Sequence, residues 1–127
     1  MKKNSLPISP HLQIYKPQVT SVLSITHRIT GFCLNLSLIF LILWLFCFSL
    51  GETSYNSFIE FLGTIPAKVV IFFSILGFFY HMLNGIRHMI WDLGFFLENK
   101  SSAILGYVVI FFSLIFSLFV SFKWEVI

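Results

Sequence analysis

The chain has 127 residues, 57% of them hydrophobic and only 10% charged, with a formal net charge of +3. A soluble domain of this length cannot hide so much apolar surface, so residues 1–127 are expected to form one integral membrane domain. The polar segments leave no room for a soluble catalytic domain, and the few positive charges gather into no basic face, which excludes nucleic acid as a partner.

Residues 1–20 are polar and punctuated by Pro7, Pro10 and Pro17. The region near residue ten reads Ser-Pro-His-Leu-Gln-Ile-Tyr-Lys-Pro, which is not the apolar core of a cleavable signal. Each proline disfavours helix at the residue before it, so this arm is expected to run extended along the membrane surface or a partner. Tyr15 and Lys16 suit the interface, and His11 reads as a surface histidine.

Thr20 or Ser21 is expected to cap a first helix over about residues 21–50. Its most apolar part, Ile29–Leu50, is long enough at roughly 33 Å to cross the hydrocarbon layer. Cys33 and Cys47 fall inside this run, form no C-x-x-C pair, and read as apolar cysteines. Residues 51–68 are expected to be a loop, with Pro66 opening the next helix in its first turn. The second span covers about 69–90 and leaves the membrane at Trp91-Asp92. A short connection over 93–103 leads to a nearly featureless third span, 104–122. The fold expected is therefore all-α, with three transmembrane helices and a proline-containing N-terminal arm.

Three spans put the two termini on opposite sides. Lys2, Lys3, Lys16, Arg28, Arg87 and Lys100 fall on the N-terminal side, and only Lys68 and Lys123 on the other. This six-to-two bias predicts an N-terminus in the cytoplasm, or in the matrix for a mitochondrial protein.

The second span ends in His81-Met-Leu-Asn-Gly-Ile-Arg-His-Met-Ile-Trp-Asp92. Ionisable groups at membrane depth are costly and invite a functional reading. Ser74, Gly77, His81, Gly85, His88 and Asp92 share one helix face. Such a stripe serves helix packing or the close approach of a flat ligand, and the central histidine favours a haem or metal site. His81 and His88 lie seven residues apart, about 10.5 Å along the axis. The two axial nitrogens of one iron lie only about 4 Å apart, so one helix supplies one ligand at most. His81, deeper and among apolar neighbours, is the better ligand; His88 suits a propionate or a proton relay. On the first helix, Ser21, Ser24, Arg28, Gly31 and Asn35 form a second stripe beside His27. Arg28 can simply snorkel to the surface. With His27 and Ser24 it also offers donors suited to a propionate or a quinone carbonyl.

Residues 9–17, Ser-Val-Leu-Ser-Ile-Thr-His-Arg-Ile-Thr-Gly (21–31) and His-Met-Leu-Asn-Gly-Ile-Arg-His-Met-Ile-Trp-Asp-Leu-Gly (81–94) resemble the cytochrome b subunit of succinate dehydrogenase. The resemblance runs along the whole chain. It implies a non-catalytic anchor in a multi-pass bacterial or mitochondrial inner-membrane complex. The partners implied are a flavoprotein subunit, an iron–sulfur subunit and a second small membrane anchor. One haem b lies between the two anchors, each giving one histidine, and ubiquinone is the substrate. By motif position, His81 is the haem ligand, Ser24 and Arg28 contact quinone, and His27, Arg28 and His88 lie near the haem propionates. A fumarate reductase anchor, a purely structural anchor without haem, and a small transporter built on the His/Asp helix are the rival readings.

Overall fold

A computed structural model describes residues 16–126; Pro7, Pro10, His11 and Tyr15 of the expected arm lie outside that range. All regular structure among the described residues is helical: α1 (Val19–Ser49), α2 (Glu52–Leu62), α3 (Ile65–Asp92) and α4 (Asn99–Lys123). Three of these, α1, α3 and α4, are long and apolar enough to cross a membrane. The chain is thus an all-α membrane protein with three spans.

The helix ends differ from the sequence expectation in ways that local chemistry explains. Helix α1 starts at Val19, with Gln18 at its N-cap and no side-chain cap bond, so neither Thr20 nor Ser21 caps it. Instead the Gln18 carbonyl accepts the N–H groups of Ser21 and Val22. The stretch expected as a loop over 51–68 contains the 11-residue helix α2. Tyr55, Phe58, Ile59 and Leu62 recur there at helical spacing. Tyr55 packs edge-on against Phe48 of α1, with ring centroids 5.9 Å apart. Pro66 does stand in the first turn of α3.

Helix α3 stops in a Schellman turn. Gly94 N–H bonds to the Trp91 carbonyl at 2.8 Å and Phe95 N–H to the Ile90 carbonyl at 3.2 Å. Gly94 sits at φ 84°, a left-handed conformation that a side chain would oppose. Helix α4 then begins at Asn99, within the connection expected over 93–103, because its first turn extends beyond the apolar run.

Helix α3 is the centre of the bundle and packs against both α1 and α4. The starts of α1 and α4 share one end, where Pro17, Val19, Asn99 and Ala103 line a common hollow. At the other end Lys68 Nζ donates to the Glu125 carbonyl at 3.3 Å. The polarity of the bundle is inside out. The most apolar window of α1 is 0% buried, whereas Asn84, Arg87, Ser102, Ser113, Ser117 and Ser121 are all buried. Apolar side chains therefore face outward, where lipid or another membrane subunit covers them.

The third span is not featureless. Ser102, Gly106, Val109, Ser113, Ser117 and Ser121 are its buried residues and recur every three or four positions. They form a small-residue seam that lets α3 and α4 approach closely. The hydroxyls of Ser113 and Ser117 bond back to the carbonyls of Ile110 and Leu114, at 2.8 and 2.9 Å, so they ask nothing of the neighbouring helix. Gly106 is in direct contact with Leu23, which fixes α1 against α4.

Candidate functional site

The stripe through Ser74, Gly77 and His81 faces α1. Ser74 and Ser37 hydroxyls lie 2.9 Å apart, and a Cβ on Gly77 would sit 3.9 Å from Thr30 Cγ2. One turn later, His81 reaches the α1 backbone. Its Nδ1 is 3.0 Å from the His27 carbonyl oxygen and 3.3 Å from Thr30 Oγ1. A carbonyl only accepts, so Nδ1 carries the hydrogen. In the neutral imidazole this leaves a lone pair on Nε2, the tautomer of a metal-ligating histidine whose other nitrogen is anchored.

The arrangement is reciprocal. His27 Nε2 donates to the His81 carbonyl at 3.2 Å, and the two rings stack with centroids 4.0 Å apart and planes 14° apart. The His81 ring fits only because residue 31 is glycine. A Cβ there would stand 2.9 Å from His81 Cε1. Beside His81, by contrast, Gly85 has open space: a Cβ there meets nothing within 4 Å. A single oriented imidazole with free room along its helix face fits half of a haem site. No group of three or more His, Cys, Asp or Glu side chains among the described residues is placed to hold a bare metal ion.

His88 completes a line of three rings. It lies 5.3 Å from His27 and edge-on to Trp91 at 4.9 Å. Asp92 is exposed at the helix end.

Ser24 and Arg28 sit on the flank of α1. Leu23, Thr26, His27, Thr30, Gly31 and Ser37 of that helix meet α3, so of the expected Ser21–Asn35 stripe Gly31 faces α3 while Arg28 and Asn35 are exposed. Asn35 is exposed and bonds to the Gly31 carbonyl of its own helix at 3.1 Å. Arg28 is exposed, and Ser24 is half-buried. Arg28 lies on the outer surface of the helix bundle, and among the described residues no hydrogen bond uses its guanidinium.

A second polar stripe, displaced by one residue from the first, escaped the sequence reading. Tyr80, Asn84 and Arg87 are buried, and Trp91 extends the same spacing. The Tyr80 hydroxyl lies 3.0 Å from the Leu23 carbonyl and 2.5 Å from Thr26 Oγ1. Arg87 donates to Asn84 Oδ1 at 3.1 Å and to the Ser102 carbonyl and hydroxyl at 2.9 and 3.1 Å. Its guanidinium lies 4.0 Å above the Trp91 ring, a cation–π contact. The signal was present: an arginine within the last third of a span, with an asparagine one turn before it. A cavity of about 360 Å³ beside Tyr80 is walled by Thr26, Thr30, Gly77 and Ser113, and does not include Ser24 or Arg28.

Comparison with known proteins gives the family. The sequence model of the succinate dehydrogenase/fumarate reductase transmembrane subunits matches residues 2–120. The succinate dehydrogenase cytochrome b560 subunit of Marchantia polymorpha is 41% identical over 117 residues, covering 86% of this chain and 83% of the relative. The subunit of the same name from Reclinomonas americana is 42% identical over 117 residues, with 88% and 81% covered. The cytochrome b556 subunit of Rickettsia bellii is 36% identical over 115 residues, with 91% and 90% covered. Two anchored imidazoles on facing spans, an outward arginine beside them and relatives matching over most of their length lead to one assignment: this chain belongs to the succinate dehydrogenase/fumarate reductase transmembrane subunit family.

Proposed function

We propose that this chain is the haem b-binding membrane anchor of a succinate dehydrogenase. It tethers the flavoprotein and iron–sulfur subunits to the inner membrane, with its N-terminus in the cytoplasm or matrix. The observation that carries the reading is the anchoring of His81: Nδ1 is held by the His27 carbonyl, and Nε2 keeps the lone pair an iron needs. A second ligand to the iron would have to come from outside this chain, such as from a second small membrane anchor. His81 lies about 10.5 Å along the helix from His88, too far for both to serve one iron. Haem b, when bound, accepts and returns one electron at its iron.

The chain's own residues then have distinct tasks. His81 would hold the haem iron through Nε2. The His27–Thr30 turn fixes its ring plane and its tautomer. Arg28 and His88 would supply donors for the haem propionates, with His27 near them but its Nε2–H already given to the His81 carbonyl. Ser24 and Arg28 bind a carbonyl oxygen of ubiquinone, and the arginine charge stabilises negative charge as it develops there. Ubiquinone takes two electrons from the iron–sulfur subunit and two protons to become ubiquinol. The same residues serve a fumarate reductase running in reverse, since partner subunits and quinone potential set the direction.

Arg28→Ala in the assembled complex tests the quinone assignment. Removing a charged hydrogen bond is worth about 1.5–3 kcal/mol, or roughly ten- to a hundredfold in quinone reductase kcat/KM. Succinate oxidation by an artificial dye should stay at the level of the unsubstituted complex. Equal loss of both activities contradicts the assignment and points to failed assembly.

A further inference from the structure

We propose that Arg87 is a built-in electrostatic group that favours the reduced state of the haem held at His81. The inference rests on the reading of His81 as haem ligand, and concerns a residue outside the ligand, propionate and quinone contacts assigned above.

Arg87 is 2% exposed, and everything that encloses it belongs to this chain. Its partners are all neutral: an amide oxygen, a hydroxyl, a carbonyl and an indole ring. No carboxylate pairs with it among the described residues, and residues 1–15 contain no Asp or Glu. The end of α4 that leads to the C-terminus lies beside Lys68, at the opposite end of α3. Because the chain already seals the guanidinium, a carboxylate of another subunit cannot touch it either. Nor is the surrounding shell acidic in character. Among the described residues, Arg87 Nε, Asn84 Nδ2 and Trp91 Nε1 are buried donors that meet no acceptor, so the pocket has an excess of positive dipole ends.

An unpaired buried cation is expensive, and the groups around this one are neutral, so its charge stays uncompensated. The cation lies six residues from His81, about 9 Å along the axis. His88, the next residue, connects it to the stacked His27–His81 pair. At an effective dielectric constant near 20, a unit charge at this range changes a one-electron equilibrium by about twentyfold. At about 59 mV per tenfold for one electron, that corresponds to about 80 mV.

The test is a redox titration of the haem, followed by visible absorption, in the whole assembled complex. Arg87→Gln should lower the midpoint potential by about 80 mV, a twentyfold loss in the reduction equilibrium. Arg87→Lys, which keeps the charge and loses the fork, should stay close to the unsubstituted value while lowering thermal stability. Ser102→Asp places a carboxylate where the hydroxyl now meets Nη2, and should lower the potential as the glutamine does while keeping the tie to α4. An unchanged potential in Arg87→Gln overturns the proposal and leaves only a structural clamp. So does a lysine variant that falls as far as the glutamine. If the glutamine complex does not assemble, an unchanged potential in Ser102→Asp overturns it equally. Absence of low-spin haem from the unsubstituted complex would instead sink the His81 reading, which these potentials do not address.

Discussion

Gly31→Ala isolates the fit between the two histidine-bearing helices. The added Cβ would lie 2.9 Å from His81 Cε1. Carbon atoms in good contact stand about 3.5–4.0 Å apart, so the ring must retreat by about 0.6 Å or more. It is not free to do so, since Nδ1 is tethered to the His27 carbonyl at 3.0 Å and the ring face is stacked on His27 at 4.0 Å. Overpacking of this kind costs about 1–3 kcal/mol, partly offset by about 1 kcal/mol of better helix propensity for alanine. The stability of the helix pair should therefore change little, while the aim of Nε2 is lost. A loss near 1.4 kcal/mol at the ligand bond is tenfold in haem affinity. The assay is haem per flavin in the purified complex, with the position of the reduced α-band. Gly77→Ala is the control, because its Cβ would make an ordinary 3.9 Å contact with Thr30. A Gly31→Ala complex with full haem content and an unshifted band would refute the packing argument.

The remaining predictions concern the bundle that positions this site. Ser117 is fully buried in the α3–α4 seam and its hydroxyl serves only its own helix. Ser117→Ala should be nearly neutral, whereas Ser117→Leu should wedge the helices apart at about 1–3 kcal/mol, read as a lower Tm of the detergent-solubilised complex. Tyr80→Phe removes the hydroxyl that joins α3 to Leu23 and Thr26, and should cost about 1 kcal/mol by the same measurement, without loss of haem.

Much of this architecture was legible because membrane spans announce themselves. Uninterrupted apolar runs marked α1, α3 and α4, and ionisable residues inside two of them marked the functional end. Spacing and depth alone favour His81 over His88 as the proposed ligand. What stayed hidden depended on which face of a helix meets which neighbour. Helix α2 was obscured because its apolar residues form a narrow stripe in a polar stretch, too short to stand out as a span. The serine seam of α4 vanished into an apolar average, although its spacing was in plain view; only the proximity of α3 gives those serines a task. Arg87 was counted as one of six positive charges near the N-terminal side, as though it snorkelled to the surface. Its burial follows from Asn84, Ser102 and Trp91 meeting around it, which no single helix encodes. The Ser24–Arg28 flank poses a different difficulty: its ligand and its covering subunit lie outside this chain.

The central claim is that this chain supplies one axial nitrogen of a shared haem through His81. The most direct measurement is the reduced-minus-oxidised visible spectrum, with low-temperature electron paramagnetic resonance, of the purified complex carrying His81→Ala. The account predicts loss of the bis-imidazole low-spin signal, with haem either absent or converted to a high-spin form. An unaltered bis-imidazole spectrum at full haem content would contradict it.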